Sequence, residues 1–239
     1  MGRIRWLMAS LGLLALVGSW ADAGPPASLR LFPFTERRTA PSAADIPWSE
    51  LPAGKRDRVR QVVEQPSLYA RGPSEEFTGD PALYRWLLAH PAHTAAAWRR
   101  LGVECVCIEE VSPGVFRCSD GAGFEVRWET VYSGKNLHIW YAEGNGRPCP
   151  WLPTVPVRGV AVLRHGGRID PLGRPNLSHQ VDLFLQTDSQ MAALIARLLG
   201  PSLPRLAEQG LEQIELFFSG IVRYLYANPE DTLQLLSQT

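Results

Sequence analysis

Residues 122–142, AGFEVRWETVYSGKNLHIWYA, carry the pattern that decides the fold. From Ala122 to Val131, Phe124, Val126 and Trp128 alternate with Glu125, Arg127 and Glu129. A period of two belongs to an extended strand, whose successive side chains point to opposite faces. Lys135–Ala142 repeats it, setting Leu137, Ile139 and Tyr141 against Asn136, His138 and Trp140. Ser133-Gly134 between them is turn-forming, so the two runs read as an antiparallel hairpin with one dry face and one wet face.

The same reading extends outward over Leu101–Asp188. Val103–Val111 and Val115–Ser119 flank Ser112-Pro113-Gly114, a hairpin turn, and Asp120-Gly121 supplies the next. Gly159–His165 and His179–Thr187 are strand-like, with Val181, Leu183 and Leu185 on one face. The links are too short for crossover helices, which predicts an antiparallel β-meander of about six strands.

Helices are predicted on both sides of the meander. Lys55–Gln65 is a short charged helix with a narrow apolar stripe. Asp80-Pro81 pairs a capping residue with proline at the first helical position and opens a helix through Leu88, with Tyr84, Leu87 and Leu88 on one side. Thr94–Leu101 follows, with Ala95, Trp98 and Leu101 toward the sheet. Beyond the strands, Asp188 caps a helix bearing Met191, Leu194, Ile195, Leu198 and Leu199, which ends at Gly200-Pro201. Leu203–Ala227 is the longest helix, with Leu206, Gly210, Ile214, Phe217, Ile221 and Leu225 in one stripe, widened by Phe218, Val222 and Tyr226. That width predicts packing across much of the sheet, and Glu230–Ser237 adds one or two final turns. The fold class is α+β. Its element order resembles the helix-grip architecture, an analogy that carries no functional residues with it.

The N-terminus reads as a targeting signal. Arg3 and Arg5 precede the apolar run Trp6–Trp20, and Ala21-Asp22-Ala23 supplies small residues for cleavage after Ala23. Residues 1–23 are thus expected to be a signal peptide, with export to the periplasm or extracellular space and no transmembrane span in the mature chain. Retention as an anchor is the alternative. Residues 24–54 form a Pro/Ala-rich extended leader, pinned at Leu29–Phe34 and Ile46–Leu51, and residues 55–239 form a single α+β domain. Losing Arg3, Arg5 and Asp22 from 24 basic and 24 acidic residues leaves the mature chain one charge below neutral. That balance gives no electrostatic case for nucleic acid or an anionic membrane.

Three residue sets are candidates for chemistry. Cys105, Cys107, Cys118 and Cys149 form an even set in an oxidising compartment. If a four-residue loop joins Glu110 to Val115, Cys107 falls opposite Cys118 and can bridge it, leaving Cys105 for Cys149. A metal site built from Cys105, Cys107, Cys118 and a histidine is the alternative, although the paired ligand spacing is absent. Among the histidines, His165 with Asp182 is the candidate general-base pair of an exported hydrolase, if both share a side of paired strands. His138, beside Trp140, and His179 read as polar face residues. No nucleophile elbow, metalloprotease helix, P-loop or dinucleotide fingerprint accompanies them, and Gly144-Asn145-Gly146 is a lone glycine pair.

Aromatic residues form the third set. Trp128, Trp140, Tyr141, Phe217, Phe218 and Ile221 are predicted to line the space between sheet and long helix, with Arg127, Arg158 and Arg164 at its rim. The leading expectation is an exported, non-catalytic binding protein that holds an apolar small molecule there, without a cofactor. The hydrolase and a structural envelope-associated protein are its rivals.

Overall fold

The alternating stretch becomes the centre of an antiparallel sheet in the computed structural model, which describes residues 46–119, 125–146, 155–188, 193 and 203–236. The signal segment, most of the leader, the Asp120-Gly121 turn, Cys149 and nearly all of the helix after Asp188 lie outside the described residues. Among the described residues, no helix is long and apolar enough to cross a membrane.

The strands are β1 (Leu68–Arg71), β2 (Glu75–Thr78), β3 (Ile108–Ser112), β4 (Val115–Ser119), β5 (Glu125–Ser133), β6 (Leu137–Gly146), β7 (Val155–Ile169) and β8 (Pro175–Thr187). The helices are α1 (Ala53–Glu64), α2 (Pro81–Ala89), α3 (Pro91–Arg100), α4 (Leu203–Ala227) and α5 (Asp231–Leu236). The fold is α+β, with the sheet ordered β1-β8-β7-β6-β5-β4-β3 and β2 also paired to β8. β3 to β8 are the six-strand meander. β1 and β2 are additional, two four-residue pieces that share the β8 edge.

Local chemistry accounts for the elements. The Asp80 carboxylate accepts from the backbone N–H groups of Ala82 and Leu83 at 2.6 and 3.2 Å, satisfying two donors that open α2. Gly114 adopts φ +70 in the β3–β4 turn, a left-handed conformation that favours glycine. α4 ends where Asn228 bonds the Tyr224 carbonyl through both its backbone and side-chain nitrogens, just before Pro229 stops the helix.

Both faces of the sheet are covered, not one. The inner face carries Phe116, Trp128, Trp140, Leu163, Val181 and Leu183, packed with α2, α3 and α4. On the outer face, Val131, Ile139, Tyr141, Val160, Val162 and Phe184 pack with Val59, Val62 and Val63 of α1 and with Ile46 and Leu51. The charged helix α1 turns its narrow valine stripe onto this second face, so the centre of the sheet is dry on both sides. α4 lies chiefly against β8 and the short β1 and β2, flanked by α2 and α3. It reaches β6 through Phe218, whose ring stacks on Trp140 at 5.9 Å and 4°. The broad stripe of α4 therefore serves the two neighbouring helices as well as the sheet.

The expected Cys107–Cys118 bridge is absent. Ser112 pairs with Val115 across a tighter turn, a register shift follows, and Ile108 rather than Cys107 stands opposite Cys118. A slip of one residue reverses the face, so Cys118 is buried in the inner core while Cys107 is exposed. No disulfide joins any two of Cys105, Cys107 and Cys118, and burial pushes the Cys105 thiol up to about 11.

Candidate ligand site

The site is built from rows of inner-face side chains running across the strands. One row passes through Trp128, Ala142, Gly159 and Leu185, and the next through Thr130, Trp140, Ala161, Leu183 and Ala70. Alternation puts all of them on the side of α4. Between the two tryptophans and the β8 leucines these rows hold only Ala142, Gly159 and Ala161, so the sheet carries small side chains there. The apolar surface is not fully closed. Val126, Ala142, Ala161 and Leu185 of the sheet, with Ile214 of α4, are only partly buried. Trp128, Trp140, Leu183 and Phe217 keep 7–8% of their surface, whereas Phe116, Leu163 and Ile221 keep none. Together they form one apolar surface on the inner face, on the side of α4.

Trp140 is held firmly within it. Its ring lies 4.4 Å from His138 on one side and stacks on Phe218 on the other. Among the described residues, its buried indole N–H has no hydrogen-bond partner. Phe217 meets Phe218 edge to face at 4.9 Å, and its carbonyl accepts from the Trp98 indole at 2.9 Å, tying α4 to α3.

A polar row adjoins this apolar surface. Glu75, His179 and His165 lie opposite one another on β2, β8 and β7. His179 Nε2 is 2.8 Å from Glu75, and His179 Nδ1 is 2.7 Å from the Tyr84 hydroxyl. With Glu75 ionised, the consistent pattern has His179 Nε2–H donating to Glu75 and Tyr84 donating to Nδ1. Burial would raise the Glu75 carboxyl, but the His179 hydrogen bond, the Ser219 hydroxyl and the Arg223 charge together hold it below its ordinary value. The Tyr84 phenol is driven up by burial and by the carboxyls of Glu215 and Glu75. Burial pushes His138 and His165 down to about 4, so both are neutral imidazoles near pH 7.

Glu215, on the same face of α4, is pushed up to about 8 by burial, against the lowering effect of its bond from Val181. Its position has a backbone cause. β1 pairs with β8 only as far as Asp182 and β2 only from His179, so the Val181 N–H falls in the gap and donates to Glu215 Oε1 at 3.0 Å. Gly72 makes room: a Cβ there would stand 2.6 Å from that oxygen.

Of the residues expected from sequence, Trp128, Trp140, Phe217, Phe218 and Ile221 converge on the inner face. Tyr141 does not. It points to the outer face, under the Arg58 guanidinium at 4.8 Å, beside a polar cleft of about 180 Å³ also lined by Arg127, Glu129 and Glu143. In that cleft Glu129 is held by Lys55 and Arg58 at 2.7 and 2.6 Å.

His165 and Asp182 are not brought together either. The register sets His165 against His179 and Asp182 against Val162, which places them on opposite faces. Asp182 is fully buried on the outer side, taking Tyr69 at 2.7 Å, Arg71 at 2.6 and 3.1 Å, and Arg164. Arg164 therefore belongs to this outer ion cluster and not to the rim expected for it on the inner side.

Among the described residues, no three His, Cys, Asp or Glu side chains gather as a metal cluster. The groups missed from sequence are Glu75, Tyr84 as a hydrogen-bond donor, and the α4 series Glu215, Ser219, Arg223. The signal for the last was available, since polar residues four apart interrupt the apolar stripe of one helix.

No family model and no curated protein matches the chain. Solved structures are similar in part. A conserved protein from Geobacillus kaustophilus is 15% identical with a TM-score of 0.41, over 62% of this chain and 93% of that one. A hypothetical protein from Helicobacter pylori is 12% identical with a TM-score of 0.40, over 70% and 92%. The di-domain ARO/CYC BexL from the BE-7585A biosynthetic pathway is 20% identical with a TM-score of 0.33, over 74% of this chain and 51% of that one. Similarity of this degree supports no functional assignment.

Proposed function

We propose that the protein is an exported, non-catalytic binding protein that holds an apolar small molecule in the recess between the inner sheet face and α4. The observation that supports this reading is the incomplete burial of Val126, Ala142, Ala161, Leu185 and Ile214 beside the aromatic residues Trp128, Trp140 and Phe217 of the inner core. Binding sites for small molecules are concave, mainly apolar and provided with few polar groups, and this surface has that composition. A filled interface would bring Val126, Ala142, Ala161 and Leu185 to the full burial of their neighbours.

The neutral fluorophore N-phenyl-1-naphthylamine tests it. Saturable binding is expected, weakened about tenfold in Phe217→Ala or Trp128→Ala, the loss of one well-packed aromatic contact. Circular dichroism of each variant shows that the fold persists. Failure of the wild-type protein to bind any apolar probe refutes the reading. Export has its own readout: N-terminal sequencing of the product from the secreting host should begin at Gly24, and a retained Met1 with the protein in the membrane fraction contradicts it.

A further inference from the structure

The outer face of the sheet carries a charged cleft. α1 lies chiefly over β7 and β8 and reaches β5 through two long side chains, Lys55 and Arg58, which both bind Glu129. Beside them a cleft of about 180 Å³ is bordered by Arg58, Val115, Arg127, Glu129, Tyr141 and Glu143. The register sets Arg127, Glu143 and Arg158 side by side on β5, β6 and β7, all three exposed. Arg127 and Arg158 thus stand on the outer face, not at the inner rim expected for them. We propose that this cleft receives a phosphate dianion, free or as the end of a small ester, held between the guanidiniums of Arg58 and Arg127.

The charges at the cleft favour an anion. Two carboxylates border it, and cations already meet both. Burial would raise the Glu129 carboxyl, but Lys55 at 2.7 Å and Arg58 at 2.6 Å hold it below its ordinary value. Glu143 lies between Arg127 and Arg158 across the strands and accepts from the Tyr141 hydroxyl at 3.4 Å. Lys55, Arg58, Arg127 and Arg158 therefore outnumber Glu129 and Glu143 by two charges. Farther along, on β4, Arg117 donates to Glu109 at 2.7 Å and also feels Glu125, so the wider patch is still one charge positive. A surplus of one sign beside a concave surface concentrates the opposite ion there.

Donor capacity narrows the anion further. A guanidinium is a planar fork of N–H donors, each directed outward. Arg58 spends one terminal nitrogen on Glu129, and its guanidinium is steadied over the Tyr141 ring at 4.8 Å. Its remaining donors are open. Among the described residues, Arg127 makes no hydrogen bond or ion pair at all. Two forks on different elements suit a tetrahedral group with several acceptor oxygens, whereas a carboxylate, with two, is filled by one fork.

Calorimetric titration of the full chain tests it, with inorganic phosphate, methyl phosphate and acetate in about 0.1 M salt, where charges are screened beyond about 10 Å. Inorganic phosphate should bind with a dissociation constant on the order of 1 mM, and acetate about tenfold more weakly. Methyl phosphate as tight as phosphate or tighter assigns the cleft to an ester, and weaker binding assigns it to the free ion. Arg127→Gln removes one fork and should weaken phosphate about tenfold without lowering the melting temperature. Arg174→Gln removes the same charge at the β7–β8 turn, where Arg174 meets only Asp170, and should bind phosphate as the wild type does. Equal weakening in both variants reduces the effect to net charge and overturns the site. Equal binding of acetate and phosphate overturns the phosphate assignment, and the lack of any saturable heat with phosphate removes the site altogether. None of these outcomes bears on the inner-face site, which an uncharged fluorophore reports.

Discussion

Tyr84, none of whose surface is exposed, donates to His179 across 2.7 Å, and His179 in turn is held by Glu75. This chain pins α2 and β2 to β8 at one point. Tyr84→Phe leaves a buried imidazole nitrogen without its donor, a loss of about 1–3 kcal/mol. A chain of this length should then melt roughly 2–4 °C lower per kcal/mol, as calorimetry will show. The titrating groups act in opposite directions. His138 and His165 have folded values depressed to about 4, so the unfolded chain binds more protons between about pH 4 and 6.5. Their contribution is present above that window and lost as the pH falls through it. Glu215 is raised to about 8, so its contribution is present below the ordinary glutamate value and is lost as the pH rises through about 8. Glu215→Gln keeps an oxygen to accept from Val181 and removes the ionisation. Its melting temperature should fall less between pH 6 and 9 than that of the wild type. An equal fall in both proteins would assign the alkaline loss to another group.

At the scale of elements, legibility followed length and periodicity. β5 and β6 were legible because alternation persists over nine and ten residues, and α4 because its stripe runs for 25. β1 and β2 are four residues each, too short for a period to emerge beside Pro66 and Pro73, and tertiary pairing with β8 rather than propensity makes them strands. The cysteine pairing failed on loop length, since a tighter turn and one shift moved Cys107 to the wrong face. The misplacing of Tyr141 came from assuming that only one sheet face was dry. The covering of the other by α1 was hidden because that helix is mostly charged, with only three buried valines. Glu215 was invisible to an apolar count, because its reason lies in a backbone gap between two strands that were themselves not read. That gap is testable. Gly72→Ala pushes a methyl group to within 2.6 Å of the Glu215 carboxyl. It should destabilise by about 1–3 kcal/mol, as overpacking does, measured by urea denaturation. Combining it with Glu215→Ala should recover part of the loss.

For the whole molecule, the sheet separates two different interiors. The outer one, under α1, is a packed layer bordered by the ion cluster around Asp182 and by the Lys55–Glu129–Arg58 bridge. The inner one carries the aromatic residues of the proposed site, among them Trp140, whose buried indole N–H has no hydrogen-bond partner among the described residues. The proposed apolar-ligand site lies on the inner face, and the buried ion cluster around Asp182 on the outer one. The most direct measurement is a titration of indole N–H resonances with N-phenyl-1-naphthylamine. Trp128 and Trp140 should shift together and saturate at one affinity, while Trp48, which packs with the outer layer, and Trp86, exposed on α2, stay in place. Shifts confined to Trp48 or Trp86, with Trp128 and Trp140 unmoved at saturation, would contradict the account.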